Sequence, residues 1–164
     1  MKGTLRIGIV IATAALLVAA PAHAEEEAPP TPRDEYREAV EPICQRNTEA
    51  NKRILKNVRQ KIRHKRLKEA GGQFIHASAA FRQAVDKIAA VPRPPEDNAR
   101  LLKWFKFLRI VQKDLHNVGK ALKRSERIKA SHEVIRVERA SNAANNVSFV
   151  FEFHYCRLSQ SRFT

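Results

Sequence analysis

The sequence predicts an all-α protein: an antiparallel up-down-up-down four-helix bundle with a kinked first helix and its two ends tied by a disulfide. Three observations lead there. Apolar residues recur at spacings of three and four through most of the chain, and no stretch has a convincing period of two. Gly71-Gly72, the proline-rich residues 91–95 and Ser125 divide that periodicity into four segments with short joints. Amphipathic helices so connected pack by default as antiparallel neighbours. Cys44 and Cys156 are the only two cysteines, and they stand near the two ends of the helical region.

Before the first helix lie two segments of different character. Residues 1–6 are short and basic, residues 7–20 are apolar and alanine-rich, and Pro21-Ala22-His23-Ala24 supplies a small-x-small pattern. That is the layout of a signal peptide over residues 1–24, too short in its apolar part for a comfortable membrane span. A retained N-terminal anchor is the alternative. Residues 25–33, an acidic triplet followed by a proline-rich stretch, predict an extended, disordered lead-in. The bundle is expected over residues 34–160, with a tail at 161–164.

Helix one is expected over residues 34–69, its seam formed by Tyr36, Val40, Ile43, Ile54, Val58 and Ile62. Pro42 removes a backbone donor near its start and predicts a kink there or a short separate helix before it, and Gly71-Gly72 is expected to end it. Helix two follows over 73–90 with Phe74, Ala77, Phe81, Val85 and Ile88 along one stripe. Helix three is expected over 96–124, where Pro95 suits its first turn. Leu101, Phe105, Leu108, Val111, Leu115, Val118 and Leu122 make its seam. Helix four is expected over 125–158, with Ser125 as N-cap and a seam of Val134, Val137, Ser141, Ala144, Ser148, Phe151 and Tyr155.

In an up-down-up-down bundle the start of helix one and the end of helix four share one pole. Cys44 and Cys156 fall at those two places, and an even count in an exported chain suggests a bridge between them. Two unpaired buried thiols are the alternative.

Tyr36 followed by Ile43-Cys44, the mid-chain Pro94-Pro95, Trp104 on the third helix and Cys156 near the C-terminus resemble small exported helical-bundle proteins common in actinobacteria. The resemblance implies export and a helical fold, and it lends no catalytic residues. The chain departs from that pattern in its heavy positive charge and in Pro42.

Chemistry is mostly excluded. There is no Gly-x-Ser-x-Gly, no His-Glu-x-x-His and no phosphate-cradling loop among five glycines. Covalent haem would need Cys-x-x-Cys-His, and a di-metal carboxylate bundle would need two Glu-x-x-His pairs; neither is present. His64, His76, His116, His132 and His154 fall singly. The expectation is a protein that is not an enzyme, with no cofactor and no metal.

Charge carries the positive signal. The full chain has a net charge of +14; Lys2 and Arg6 lie in the leader, which leaves 29 cations against 17 acids beyond it, a net +12. On one long helix, Lys52, Lys56, Arg59, Arg63 and Arg66 would stack as a ridge flanked by Lys61, Lys65 and Lys68. The apolar seam fades after Ile62, so this end is expected to overhang as a cationic tip. Lys120, Lys123, Arg124, Arg127 and Lys129 surround the last joint, which bundle topology puts at the same pole. The expected partner is an anionic envelope polymer or lipid head groups, in a secreted, cell-wall or periplasmic bacterial setting; nucleic acid is disfavoured because no aromatics interleave with the cations. The competing reading is a solvated surface, the commonest meaning of a charge run.

Two further features remain. Trp104, Phe107 and Ile110 spread the apolar surface of helix three beyond one seam, so they are either covered by other parts of the chain or form a patch for an apolar ligand or client. Residues 140–146 are small and polar, which fits close helix approach with the amides outward; the alternative is a small cavity opposite the aromatic helix.

Overall fold

The computed structural model describes residues 29–159. The expected signal peptide, the first part of the lead-in and the tail at 161–164 lie outside the described residues. Among the described residues the protein is all α, with four long helices, one short one and no strand. The elements are α1 (Pro32–Ile54), α2 (Val58–Arg63), α3 (Leu67–Ala89), a 3-10 turn (Pro95–Asp97), α4 (Asn98–Lys123), α5 (Arg127–Ser148) and a second 3-10 turn (Phe149–Phe151).

Helix α1 starts in what the sequence assigns to the lead-in. Thr31 is its N-cap: the Thr31 hydroxyl accepts from the Asp34 N–H, and the Asp34 carboxylate accepts the Thr31 N–H at 3.0 Å. This reciprocal capping satisfies two donors of the open helix end. The helix passes through Pro42 without ending, so no separate helix precedes it; the chain breaks at residues 55–57 instead of continuing toward 69. Leu55 turns into the core (6% exposed), Asn57 takes a left-handed conformation (φ 61°), and Gln73 Nε2 from α3 donates to the carbonyls of Ile54 and Lys56 at 2.6 and 3.0 Å. A side chain nineteen positions downstream therefore caps α1, satisfying carbonyls that the helix end leaves open.

Helix one of the sequence reading thus becomes α1, α2 and the start of α3. Gly71 and Gly72 do not end a helix; both lie inside α3. Gly71 has a packing role instead. A Cβ there would stand 2.5 Å from the Gly119 carbonyl oxygen and 2.9 Å from Lys123 Cγ, and a Cβ on Gly119 would stand 2.7 Å from the Gly71 oxygen. The two glycines let α3 and α4 cross backbone to backbone. Seven residues along, the Ser78 hydroxyl donates to the Gln112 carbonyl and accepts from Gln112 Nε2, both at 3.0 Å. The pairs 71/119 and 78/112 step in opposite directions, so α3 and α4 are antiparallel.

The principal helix pairings are α1 with α3, α3 with α2 and α4, and α4 with α5. One continuous core links them, with Leu101, Trp104, Leu108, Val111, Leu115 and Val118 of α4 at its centre. Helix α5 ends ten residues before the expected boundary. Ser148 turns its hydroxyl back onto the Ala144 carbonyl at 3.1 Å, and Glu152 reverses the chain in a left-handed conformation (φ 51°). The remaining residues cross to α1, burying Phe151, Phe153 and Cys156. Phe153 stacks on Phe151 and packs against Trp104, with ring centroids 5.2 and 5.1 Å apart. Cys156 is bonded to Cys44 across 112 positions. Glu41 of α1 accepts the N–H groups of His154 and Tyr155, each at 2.7 Å, and Asn145 grips both the N–H and the carbonyl of Leu158.

Candidate anion-binding pole

Two of the helix joints are built alike. At the end of α2, the Arg66 N–H donates to the Lys61 carbonyl and the Lys65 N–H to the Ile62 carbonyl; at the end of α4, the Glu126 N–H donates to Ala121 and the Ser125 N–H to Leu122. Lys65 and Ser125 hold the left-handed position of the motif, with φ 59° and 62°. This is the Schellman closure, which usually uses glycine. Ser125, expected as the N-cap of the last helix, is instead the residue that ends α4; α5 starts after Glu126 with no side-chain cap.

The close approach of Gly71 to Gly119 and Lys123 makes the 64–66 and 124–126 joints neighbours at one end of the molecule. The two cationic clusters, some sixty positions apart in sequence, therefore lie toward the same end of α3 and α4. Their internal form differs from the expected ridge. Because the chain turns at Asn57 and again at Lys65, the cations from Lys52 to Lys68 are spread over the end of α1, a single short helix and the start of α3. The end does not overhang a fading core either, since Val58 and Leu67 are buried and Ile62 packs against the core.

Among the thirteen expected anion-site residues, three are ion-paired among the described residues. Arg66 makes a two-pronged pair with Glu69, both contacts at 2.6 Å. Lys61 approaches the same carboxylate at 3.9 Å, and Lys129 lies 3.4 Å from Glu126. The hydrogen bonds from Arg66 hold the Glu69 carboxyl below its ordinary range. Lys52, Lys56, Arg59, Arg63, Lys65, Lys68, Lys120, Lys123, Arg124 and Arg127 are exposed and make no ion pair among the described residues. Part of this charge has a local role: Lys61, Arg63, Lys120 and Lys123 lie in the last turns of α2 and α4, where a cation offsets the negative end of the helix dipole. Lys52 has the same place in the last turn of α1; the others are not so accounted for, and they leave a surface suited to several phosphates or carboxylates at once.

The aromatic face of α4 is arranged otherwise. Trp104 is in the core (1% exposed), with Phe105 and Phe153 against it. Phe107 and Ile110 are half-buried and pack on the same core. Trp104 is thus no part of an exposed patch, because the C-terminal segment folds over it. A cleft with about 40 Å³ of free space forms beside the disulfide, lined by Asn51, Trp104, Cys44, Cys156 and neighbours from α3 and the C-terminal segment. Residues 140–146, for which a cavity was the alternative to close helix packing, do not line it. Asn51 Oδ1 and Trp104 Nε1 are buried there without hydrogen-bond partners, and the space is on the scale of ordered water.

Among the described residues, no three His, Cys, Asp or Glu side chains come close enough to hold a metal, and no helix is long and apolar enough to cross a membrane. Sequence reasoning missed Gln73, Glu41 and Asn145, which fix the chain reversals. Only Asn57 carried a local signal, since asparagine tolerates the left-handed conformation. No protein-family model, curated protein or solved structure matches the chain.

Proposed function

We propose that the chain is an exported, non-enzymatic protein, built as an antiparallel up-down-up-down four-helix bundle, that binds anionic envelope polymers or lipid head groups through its basic pole. One observation supports the reading: Gly71 lies against Gly119 and Lys123, which puts two cation-rich joints from distant parts of the sequence at the same end of α3 and α4, and among the described residues only Glu69 and Glu126 pair with their cations. A merely solvated charge run does not require that convergence. Export rests on the signal-like N-terminus and on the resemblance to small exported actinobacterial proteins, and the Cys44–Cys156 bridge fits an oxidising compartment. The alternative of an apolar client on the aromatic face of α4 has less support, because Trp104 is buried and Phe107 and Ile110 are half covered.

The test is retention on an immobilised polyphosphate as salt is raised. Retention by several simultaneous contacts falls steeply with salt. Replacing Arg59, Arg63, Lys65, Arg66, Lys123 and Arg124 by glutamine is expected to abolish it while the melting transition persists. Retention equal to that of the unsubstituted chain would overturn the proposal.

A further inference from the structure

Helix α5 presents apolar side chains that binding of a soluble anion does not use. Ile128 is 78% exposed, Ile135 41% and Val134 40%. The buried side of α5 is formed by Ala130, Val137, Ala140, Ser141, Ala144 and Ser148. At 3.6 residues per turn, Ile128, His132, Ile135 and Arg139 form the stripe opposite that side. Lys129 and Arg136 border the stripe on one flank, both exposed, and Arg139 lies on the stripe itself; Arg136 also approaches Asp114 and Glu133 at 3.6 and 3.7 Å. Of the acids in this half of α5, Glu133 pairs with Arg136 and its side chain is 12% exposed, Glu126 pairs with Lys129, and Glu138 on the other flank is half-buried. Ile128 lies three positions beyond Ser125, so the stripe continues directly from the basic pole.

An apolar stripe edged by cations constrains its occupant. A soluble polyanion offers nothing to Ile128 and Ile135. A second copy of the chain would bring the same cations against these cations, in a protein that is strongly positive overall. An anionic bilayer supplies both complements, phosphates at the surface and acyl chains just beneath. We infer that the outer face of α5 docks the protein on an anionic lipid surface, with Ile128 and Ile135 entering the boundary between head groups and acyl chains and Lys129 and Arg139 on lipid phosphates. This rests on the anion-binding reading of the pole and names lipid phosphate as its anion. Docking here is attachment to the surface, since none of the described helices can span a bilayer.

The full chain is sedimented with vesicles of phosphatidylcholine alone and of phosphatidylcholine mixed with phosphatidylglycerol; binding to the neutral vesicles sets the background from the apolar residues 7–20. Stronger binding to the mixed vesicles is expected. Replacing Ile128 and Ile135 by serine should reduce that excess by about tenfold or more, given the usual value of burying an isoleucine side chain. The same variant should keep its retention on polyphosphate and its melting temperature, because both positions are exposed. If the serine variant binds mixed vesicles as tightly as the parent while the glutamine variant of the pole loses both vesicles and polyphosphate, the pole is an anion site and the lipid inference is overturned. If the glutamine variant keeps both, the anion-binding reading fails, and the inference with it. A dimer of the parent chain that the serine substitutions dissociate, with vesicle binding unchanged, assigns the stripe to a second copy and also overturns the inference.

Discussion

The carbonyl oxygen of Gly119 lies where a Cβ on Gly71 would come within 2.5 Å of it, and the converse distance is 2.7 Å. This contact sets the spacing of α3 and α4 and, through it, the adjacency of the two basic joints. Its partner atoms are backbone, which cannot swing aside as a long side chain can.

Gly71→Ala or Gly119→Ala is therefore expected to push the helices apart and cost about 1–3 kcal/mol, the usual range for overpacking a well-filled site. Gly72 is the internal control. A Cβ there meets nothing within 4 Å, so Gly72→Ala should stabilise by up to about 1 kcal/mol through helix propensity. Urea melts of the three variants check both signs; equal effects at Gly71 and Gly72 would show the crossing to be looser than its geometry.

Lys65 and Ser125 hold left-handed positions that disfavour a side chain. Lys65→Gly and Ser125→Gly should each stabilise by about 0.5–1 kcal/mol, since the Schellman bonds need only backbone. Ser125→Gly is the cleaner case because it leaves the charge of the pole unchanged. Midpoints of denaturation that fall on either substitution would contradict the assignment.

Asp114 of α4 is 1% exposed and both its carboxylate oxygens lack hydrogen bonds; its nearest cation, Arg136, stands 3.6 Å away. Burial pushes its carboxyl above the ordinary range, Arg136 opposes the shift, and the Glu133 charge adds to it. A group with a raised native value binds its proton more tightly folded than unfolded. Its contribution to stability is thus fully present below the ordinary carboxylate range and is lost as pH rises through the raised native value. Asp114→Asn should stabilise the protein at neutral pH by about 1 kcal/mol, the order of the penalty for an unsatisfied buried group. The difference between parent and variant should shrink on acidification. A difference that does not change with pH would assign the effect to packing.

The bridge between Cys44 and Cys156 closes a loop spanning 112 positions. Replacing both cysteines by serine should cost about 4–5 kcal/mol on the chain-entropy account. Because the bridged segment carries Phe153 onto Trp104, loosening it should also move the emission of the single tryptophan to longer wavelength. An unshifted spectrum would mean that Glu41, Asn145 and the aromatic packing hold the segment unaided.

The parts of the molecule legible in sequence are those whose causes are local. Helix α4 spans 98–123 against an expected 96–124, because its breaker and Pro95 stand just before it and its apolar period lies within it. The cysteine pair was legible too, since two cysteines have one intramolecular pairing. The basic residues were legible as residues, but not as a shape. Periodicity at Ile54, Val58 and Ile62 continues smoothly through a point where the helix stops, because the stop depends on Gln73 reaching back to Ile54 and Lys56.

The same distinction decides the two glycines and the C-terminal segment. Gly71 reads as a helix end by itself, yet its neighbour is Gly119, forty-eight positions away, and the pressure to keep it small exists only once α3 and α4 meet. Residues 149–158 carry an apolar pattern compatible with more helix, but they bury more by crossing to Glu41, Cys44 and Trp104 than by extending α5 into water. Composition and period determined the helical class, the cation-rich segments and the cysteine partners, each a property of neighbouring or uniquely paired residues. Only the tertiary structure decided where α1 ends, which residues cover Trp104 and how the two basic joints come together, because those outcomes depend on contacts between atoms that the chain brings close only by folding.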